Sequence, residues 1–367
     1  MRIGFEISVL SRRRTGVGHY VARLLGELLN RDDGHEYVLF SNRSLDRGDP
    51  AVDGAVVAKT GPAVGRWVWM QTALPRALRR KALDVCCFTN SVAPLRQHAP
   101  SVVVIHDASI FLLPDCHPLR RRLAQSVLIP AAARRAGAVV TVSETARADV
   151  VRALGLDPEI VHVVQGAPPA GFAPVTDTAR LEGVRRRYAL PSRFVLAVGT
   201  LEPRKNLVRL VRAHQQARRS GLTAELVLVG PRGWRVRTLE RAASNADDLH
   251  RLGYVPTDDL PALYSLATAV AYPSLYEGFG LPLVEAMACG APVIAPERPW
   301  AREVCGDAAG FVEPTDVDAL AQELLELDGD AQLRTQLQAR GLEQARRFSW
   351  TRSAARMVAV LEQAARG

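Results

Sequence analysis

Apolar and polar positions alternate along the first half of the chain in blocks that predict strands and helices in turn. Seven short runs are almost wholly apolar, and stretches with a helical period separate them. Strands covered on both faces show this composition, so the order predicts a parallel sheet between two layers of helices. The predicted strands are Ile3–Ile7, Glu36–Phe40, Ala55–Ala58, Leu83–Phe88, Ser101–His106, Ala138–Ser143 and Ile160–Val164. The predicted helices lie near Val17–Leu29, Trp67–Arg80, Leu119–Ala136 and Glu144–Leu154.

The alternation breaks in a proline-rich stretch, Gln165–Pro191, which we interpret as a linker. A second alternation follows, so we predict an α/β fold of two doubly wound domains. Ligands of such sheets bind at the carboxyl ends of strands, and a cleft between two domains is the expected site. The later predicted strands are Arg193–Gly199, Glu225–Gly230, Leu249–Leu252 and Thr268–Tyr272. The later predicted helices are Leu207–Arg219, Trp234–Asn245, Asp258–Leu266, Leu281–Cys289, Val317–Leu327, Ala331–Arg347 and Trp350–Ala365.

Length and composition agree with this division. The 367 residues suffice for two domains, and no apolar run is long enough to span a membrane. Met1–Leu10 has the pattern of a first strand and not of a signal peptide. The five cysteines form no C-x-x-C pair, which favours reduced thiols and a cytoplasmic protein.

Positive charge is concentrated in the first half. Residues 1–175 carry 22 Lys and Arg against 15 Asp and Glu, in a chain of net charge +9. Two basic amphipathic segments, Arg66–Leu83 and Leu119–Gly137, would suit peripheral contact with an anionic membrane on the inner face of the cell membrane. The alternative is a pair of core-facing helices with solvated arginines. The basic residues lack an aromatic stacking platform, so nucleic acid is not expected as a partner.

The densest candidate chemistry lies in Tyr272–Ile294. A strand stops at Pro273, a glycine-broken turn follows, and a helix begins near Leu281. The turn carries Glu277 and the helix carries Glu285. Carboxylates bind hydroxyls, and the free amides of a helix N-terminus bind phosphate. This segment therefore suits a nucleotide-sugar.

Two further loops in the first half hold candidate ligand groups. Gly16 and Gly18 let the backbone approach a ligand where a helix begins, although a glycine turn without a ligand is an alternative. A dinucleotide fingerprint needs a third glycine, and Val21 stands there, which argues against NAD. His106 and Asp107 end a strand, where the imidazole can bond a sugar hydroxyl or merely a neighbouring carbonyl.

In the second half, Arg204 and Lys205 follow a buried strand beside a helix N-terminus that Asn206 is expected to cap. Fixed positive charge next to free amides is a phosphate site; solvated surface charge is the alternative. The motif Asp316-Val317-Asp318 resembles a metal-binding D-x-D, but its place at a helix start favours capping. We therefore predict no metal site.

The stretch YPSLYEGFGLPLVEAMACGAPVI, with EPRKN at 202–206, resembles the retaining glycosyltransferases of family GT4. The resemblance covers nearly the whole chain and implies the GT-B fold, two facing Rossmann-like domains with an inter-domain cleft. It implies an N-terminal acceptor domain at 1–168, a C-terminal donor domain at 169–350, and a last helix, 351–367, that completes the first domain.

The resemblance also implies roles for individual residues. Glu277 would contact donor sugar hydroxyls, Glu285 the ribose, and His106 the sugar. Many members carry arginine where this chain has Thr200, so the diphosphate charge would rest more heavily on Arg204 and Lys205. The remaining donor-binding positions implied are Gly16, Gly18, Tyr254, Val255, Gly278, Phe279, Gly280 and Leu281.

These implications give a retaining, metal-independent hexose transfer by front-face attack, from a nucleoside-diphosphate sugar to a glycan, lipid-linked or small-molecule acceptor. GDP-mannose is the first donor hypothesis, UDP- and dTDP-sugars are alternatives, and no cofactor is expected. Acceptor contacts are placed at Arg12, Arg13, Arg14 and Asp107. A sugar-nucleotide epimerase or hydrolase, or a nucleotide-sugar binding protein without activity, are the other readings.

Overall fold

The computed structural model describes residues 1–11, 15–43, 56–59, 65–97, 99–244 and 248–366. The chain forms two compact units. The amino-terminal unit comprises Met1–Gly166 together with Ser349–Gly367, and the carboxyl-terminal unit comprises Ala167–Phe348. Each unit is built on its own parallel β-sheet.

The amino-terminal unit contains a seven-stranded sheet in the order β3-β2-β1-β4-β5-β6-β7. Neighbouring strands are all parallel. The strands are β1 (Arg2–Glu6), β2 (Glu36–Ser41), β3 (Val56–Lys59), β4 (Val85–Phe88), β5 (Ser101–Val104), β6 (Ala138–Thr141) and β7 (Val161–Val163). The helices are α1 (Gly16–Leu29), α2 (Arg66–Arg79), α3 (Ser109–Leu112), α4 (Leu119–Ala133) and α5 (Glu144–Leu154).

Every strand predicted for this unit is present, because apolar runs such as Val85–Phe88 and Ser101–Val104 are fully buried between helices. The strand order reverses between β1 and β4. Such a switch point opens a crevice at the carboxyl ends of the strands. Ile7 follows β1 at this edge, and His106 follows β5.

The carboxyl-terminal unit contains a six-stranded parallel sheet in the order β10-β9-β8-β11-β12-β13. The strands are β8 (Phe194–Val198), β9 (Glu225–Val229), β10 (Leu249–Gly253), β11 (Ala269–Ala271), β12 (Val293–Pro296) and β13 (Gly310–Val312). The helices are α6 (Thr178–Arg187), α7 (Leu207–Arg219), α8 (Arg237–Ala243), α9 (Leu260–Leu266), α10 (Leu281–Ala288), α11 (Pro299–Cys305), α12 (Val317–Gly329) and α13 (Ala331–Ala345).

This unit departs from the predicted elements in two places. Strands β12 and β13 and the helix α11 between them were not predicted. The prolines at 292, 296 and 299 make this stretch resemble a loop. Helix α8 begins at Arg237 and not near Trp234, because Arg235 has a φ of 55°, which a right-handed helix cannot contain.

The helix α14 (Trp350–Arg366) returns the chain to the amino-terminal unit. It packs on α1 and against β4 and β5. The ring of Trp350 meets that of Tyr20 edge-on at 5.5 Å, and the Ser353 hydroxyl donates to the Gln165 carbonyl at 2.7 Å. Within the described ranges, none of the helices combines the length and apolar character needed to cross a membrane.

Candidate functional site

Four charged side chains converge at the carboxyl edge of the second sheet. Glu202, Arg204 and Lys205 follow β8, and Glu277 follows β11, its neighbour in the sheet. The Arg204 guanidinium donates to Glu277 Oε2 and, through Nη2, to Glu202 Oε1 at 2.8 Å. Lys205 Nζ donates to Glu277 Oε1 at 2.7 Å. We call these four residues the charge cluster.

The charge cluster is largely shielded from water. Glu202 and Glu277 are each 7% exposed, and the side chains of Arg204 and Lys205 are 13% and 12% exposed. Burial alone raises the pKa of the Glu277 carboxyl, but the adjacent Arg204 and Lys205 outweigh it and the net pKa lies below its usual range. Burial lowers the pKa of the Lys205 ammonium, and the Glu277 carboxylate opposes that shift. Glu277 is therefore an ionised carboxylate held between two cations.

Tyr272, the residue after β11, supports the ammonium of Lys205. Lys205 Nζ lies 2.5 Å from the tyrosine hydroxyl and 4.7 Å from the centroid of its ring. A backbone hydrogen bond also joins the loops that follow β8 and β11, since Leu275 N donates to the Arg204 carbonyl at 2.9 Å. Sequence reasoning missed Tyr272 and Glu202 as members of the site. Their positions, at a strand end and within EPRKN, were the available signals.

The turn before α10 is shaped by Gly280. This residue caps the helix with φ 91° and ψ 52°, the left-handed region. A Cβ placed there would lie 2.9 Å from the indole of Trp300, so glycine is required for both conformation and space. This turn leads directly into the N-terminus of α10, and the backbone N–H groups of a helix N-terminus stabilise an anion.

Glu285 lies on α10 and is half-buried. Its Oε2 accepts a hydrogen bond of 2.9 Å from the hydroxyl of Tyr264. Burial raises the pKa of that hydroxyl well above its usual range, so the tyrosine stays protonated and donates. Tyr264 thus fixes one oxygen of the Glu285 carboxylate. The sequence did not suggest this contact.

Asn206 occupies the predicted cap position of α7 but does not cap through its side chain, so the predicted mechanism was wrong. Its backbone is left-handed, with φ 58°. The amide Nδ2 instead donates to the Pro273 carbonyl at 3.1 Å and the Pro314 carbonyl at 2.6 Å. Asn206 therefore ties together the loops that follow β11 and β13. The preference of asparagine for helix N-caps gives no information about hydrogen-bond partners so distant in the sequence.

Close backbone packing holds the loop that contains Thr200. A Cβ on Gly230 would lie 2.0 Å from the Gly199 carbonyl oxygen, and one on Gly233 would lie 2.5 Å from the Leu201 oxygen. The strand ends of β8 and β9 can approach this closely only because those positions are glycine. Farther along the same sheet, Tyr254 after β10 is 43% exposed and Val255 is 4% exposed. The Tyr254–Val255 backbone follows the strand next to β9.

In the amino-terminal unit, the imidazole of His106 donates from Nε2 to the Thr89 carbonyl at 2.8 Å. The ring meets that of Tyr20 edge-on at 5.1 Å. Burial lowers the pKa of His106 below its usual range. The neutral ring therefore carries its proton on Nε2, and Nδ1 is its acceptor atom. The alternative contact to a neighbouring carbonyl is present, and it leaves Nδ1 able to accept from a hydroxyl.

Gly16 begins α1 and is exposed, and Gly18 is buried in the first turn of that helix. Apart from its chain neighbours and the adjacent backbone of α1, no described atom lies within 4 Å of a Cβ added at Gly16. Asp107 accepts from the Ser109 amide at 2.9 Å, which forms the turn into α3. Arg12, Arg13 and Arg14 lie outside the described residues.

Asp316 has the capping role that the sequence favoured over metal binding. Its carboxylate accepts from the amides of Asp318 at 3.0 Å and Ala319 at 2.9 Å, at the start of α12. Over the ranges described, no three His, Cys, Asp or Glu side chains are grouped as metal ligands would be.

Family profiles divide the chain as the two units do. The profile of Glycosyltransferase Family 4 matches residues 14–167, and that of Glycosyl transferases group 1 matches residues 185–344. The chain is 31% identical over 376 residues to the O-antigen chain mannosyltransferase B of Escherichia coli, covering 95% of this chain and 96% of that protein. It is 27% identical over 357 residues to the GDP-mannose-dependent alpha-(1-6)-phosphatidylinositol monomannoside mannosyltransferase of Mycolicibacterium smegmatis, covering 87% of each.

Solved structures show the same architecture. Sucrose-phosphate synthase of Thermosynechococcus elongatus matches with a TM-score of 0.79 at 20% identity, over 99% of this chain and 98% of that one. HepE of Anabaena, solved with UDP and glucose, matches with a TM-score of 0.77 at 21% identity, over 99% of both chains. At these sequence identities the similarity shows the fold alone. It confirms the predicted GT-B fold class.

Proposed function

The chain belongs to the group 1 glycosyltransferases of family 4, and from this premise we propose that it moves mannose from GDP-mannose to a glycan or lipid-linked acceptor. We further propose that the transfer retains the anomeric configuration and needs no metal. That the chain is a glycosyltransferase follows from its family. The sugar and the nucleotide are inferred from the mannosyltransferases that it is similar to.

The charge cluster is the observation that carries the reaction chemistry. Departure of a nucleoside diphosphate places negative charge on the leaving phosphate. The Arg204 guanidinium and the Lys205 ammonium are fixed side by side on one loop, where they can stabilise that charge. The amides of the turn before α10 add oriented dipoles, and Gly16 and Gly18 are proposed to do the same at the start of α1. Such groups replace the metal that other transferases use.

Glu277 would change partners during the reaction. Both of its oxygens accept from cations here. A bound diphosphate competes for the same two cations, which frees the carboxylate to accept from hydroxyls of the donor sugar. His106 would accept from a further hydroxyl through Nδ1.

Nucleotide contacts follow from the same sheet. The carboxylate of Glu285 is suited to ribose hydroxyls, because the hydrogen bond from Tyr264 fixes its orientation. The backbone of Tyr254 and Val255 would read the base edge, and Thr200 would line the diphosphate. Acceptor contacts are proposed for Arg12, Arg13, Arg14 and Asp107.

A front-face reaction accounts for retention without a carboxylate nucleophile. Glu202 and Glu277 both accept from Arg204, which makes them poor nucleophiles. The acceptor hydroxyl instead attacks the anomeric carbon from the side of the leaving group. The bond from that carbon to the phosphate oxygen breaks, the bond to the acceptor oxygen forms, and the acceptor proton passes to the departing phosphate.

Ligand-dependent thermal stability tests the donor. GDP-mannose should raise the melting temperature more than UDP- or dTDP-sugars, because a ligand that binds only the native state stabilises it by mass action. Lys205→Ala should lose most of that shift. A larger shift with UDP-glucose would overturn the assignment of GDP-mannose as the donor. It would not affect the assignment of the chain to its family.

Product analysis tests the reaction. With GDP-mannose and a mannan oligosaccharide or lipid extract as acceptor, a new α-linked product should form, with its configuration read from the anomeric proton signal. Conversion of the donor at full rate without any acceptor would instead identify an epimerase or hydrolase. An inverted product would contradict the front-face route.

A further inference from the structure

Helix α4 exposes an apolar row that the fold leaves uncovered. Leu119, Leu123 and Val127 recur every four residues and so lie along one face of the helix. Their relative exposures are 62%, 61% and 67%. Burial on α4 is confined to its last turn, where Ile129, Ala132 and Ala133 enter the core of the amino-terminal unit. The row therefore lies on the exposed turns that precede this buried anchor.

Other exposed apolar side chains lie on elements that share this core. Helices α2, α3 and α4 pack into one buried cluster. Leu112 of α3 is 42% exposed, and Trp67 and Val68 of α2 are 39% and 56% exposed. Leu95 is 50% exposed, and its amide donates to Gln71 of α2. In the part of the chain that the structure describes, Tyr254 is the one exposed large hydrophobic residue outside this region.

Positive charge is concentrated in the same segment. Residues 65–137 contain eleven Lys and Arg against three Asp and Glu, an excess of eight in a chain whose total excess is nine. Arg120, Arg121 and Arg122 are exposed in the first turns of α4, beside the apolar row. On α2 and its end, Arg76, Arg79 and Arg80 are also exposed. We call the apolar row together with Arg120, Arg121 and Arg122 the basic apolar face.

We propose that the basic apolar face docks this enzyme on an anionic lipid bilayer. Apolar side chains in one row would enter the boundary between headgroups and acyl chains, while the flanking guanidinium groups bind lipid phosphates. Exposed apolar side chains that are clustered in one row, and not scattered singly, mark an interaction surface. The proposal does not depend on the donor or on the reaction, because lipid binding is measured without either.

Charge decides between a bilayer and a second copy of the chain. An isologous dimer through this face would bring two clusters of exposed arginines together, and like charges across an interface cost free energy. An anionic bilayer offers the complementary charge. The apolar row would gain burial in either case, so the arginines make lipid the favoured occupant.

Co-sedimentation with vesicles tests the proposal. The enzyme should bind vesicles of phosphatidylglycerol and phosphatidylcholine, bind pure phosphatidylcholine weakly, and lose affinity as salt rises. Leu119→Ser/Leu123→Ser/Val127→Ser should weaken binding by at least about tenfold, because three exposed anchors are lost. Arg120→Glu/Arg121→Glu should also weaken it by at least about tenfold.

The matched control is Arg237→Glu/Arg340→Glu, which makes the same charge change at exposed arginines of the carboxyl-terminal unit. It should reduce binding by less than about threefold. Circular dichroism confirms that each variant is folded, as expected for exposed positions. The proposal is overturned if the serine variant binds vesicles as tightly as the parent protein. It is also overturned if the control loses as much affinity as Arg120→Glu/Arg121→Glu. Concentration-dependent dimerisation that the serine variant abolishes would also overturn it in favour of a second copy.

Discussion

Glu277 holds two cations that a diphosphate would also bind. Arg204 and Lys205 both donate to it, and Tyr272 and Glu202 keep those donors in place. The carboxylate therefore neutralises the site before a ligand arrives. Its removal should affect nucleotide binding and sugar transfer in opposite directions.

We predict that Glu277→Gln lowers the rate of transfer by roughly 100-fold to 1,000-fold, since it weakens contacts to the sugar in the transition state. The same variant should bind the free nucleoside diphosphate about tenfold more tightly, because the cations lose a competing partner. Calorimetry with GDP and a transfer assay separate the two effects. The control is Glu313→Gln, an exposed carboxylate that pairs with Arg298 and should leave both quantities unchanged. Weaker GDP binding by Glu277→Gln would contradict the exchange of partners.

Lys205 should make diphosphate binding depend on pH. Burial lowers the pKa of its ammonium in the free protein, and a bound diphosphate favours the protonated form and raises that pKa. Binding thus takes up a proton between the two pKa values, so affinity should fall as pH rises through that interval, which begins below the usual titration range of lysine. Calorimetry in buffers of different ionisation enthalpy measures this uptake. Lys205→Arg, whose guanidinium stays charged, should flatten the dependence; an unchanged slope would rule out Lys205 as its source.

Helix α10 and the loops around it depend on two unusual backbone positions, Gly280 and Asn206. Both are left-handed, and each contacts a segment distant in sequence: Gly280 approaches Trp300 on α11, and Asn206 bonds the loops after β11 and β13. These contacts fix the edge of the sheet on which the charge cluster lies.

Gly280→Ala should destabilise the protein by about 2–4 kcal/mol, because a Cβ there is strained and lies 2.9 Å from Trp300. Gly183→Ala is the matched control. Gly183 lies inside α6 with open space around its Cα, so alanine should be neutral or stabilise by up to about 1 kcal/mol. Chemical denaturation measures both. Equal stability of the two variants would show that the turn relaxes freely.

Asn206→Asp keeps the size and tolerance of the left-handed conformation but removes the N–H donors. One carboxylate oxygen would then face the carbonyls of Pro273 and Pro314, while the other keeps the Arg209 Nη1 donor at 2.8 Å, so the net cost should be about 1–3 kcal/mol. Asp316→Asn is the control, because one acceptor oxygen survives at that cap and the loss should stay below about 1 kcal/mol. A loss for Asn206→Asp as small as that of the control would mean that the loops do not depend on its amide.

Periodicity predicted most of the elements and missed those in the proline-rich stretch after α10. Fully apolar runs such as Val85–Phe88 and the amphipathic α7 are local signals, and the prediction of these elements is confirmed. Strand β12 and helix α11 lie among prolines at 292, 296 and 299, which are the usual signals of turns and loops. Sequence motifs identified Glu277, Arg204 and Lys205 as candidate site residues. Tyr272 and Tyr264 were missed because the residues that they contact lie 67 and 21 positions away in the sequence.

The two units are joined by two chain crossings, one after Gly166 and one after Phe348. The amino-terminal unit is thus assembled from two separate stretches of sequence. Helix α14 supplies the second stretch and buries Trp350, Met357 and Leu361 in that unit. The stability of the unit therefore depends on residues nearly two hundred positions away from the rest of it.

A chain that ends at Phe348 should retain a folded carboxyl-terminal unit and lose the amino-terminal one. Burying each large apolar side chain of α14 contributes about 1.5–3 kcal/mol, so several together approach the roughly 5–15 kcal/mol that stabilises a whole domain. Hydrogen exchange resolved by peptide distinguishes the units. Leu361→Ala should give a partial loss of about 2–5 kcal/mol in the amino-terminal unit alone, while the exposed Gln363→Ala should give none. Protection of β4 and β5 that survives truncation would contradict this dependence.

The position of α14 also sets an order of events during synthesis. The ribosome completes all of Ala167–Phe348 before it makes Trp350–Arg366. We expect the carboxyl-terminal unit to fold on the nascent chain first, while the emerged amino-terminal segment still lacks the helix that covers β4 and β5. For that interval an apolar surface of the earlier-made segment stays open, so chaperones that bind nascent chains should associate with this protein until α14 has left the ribosome.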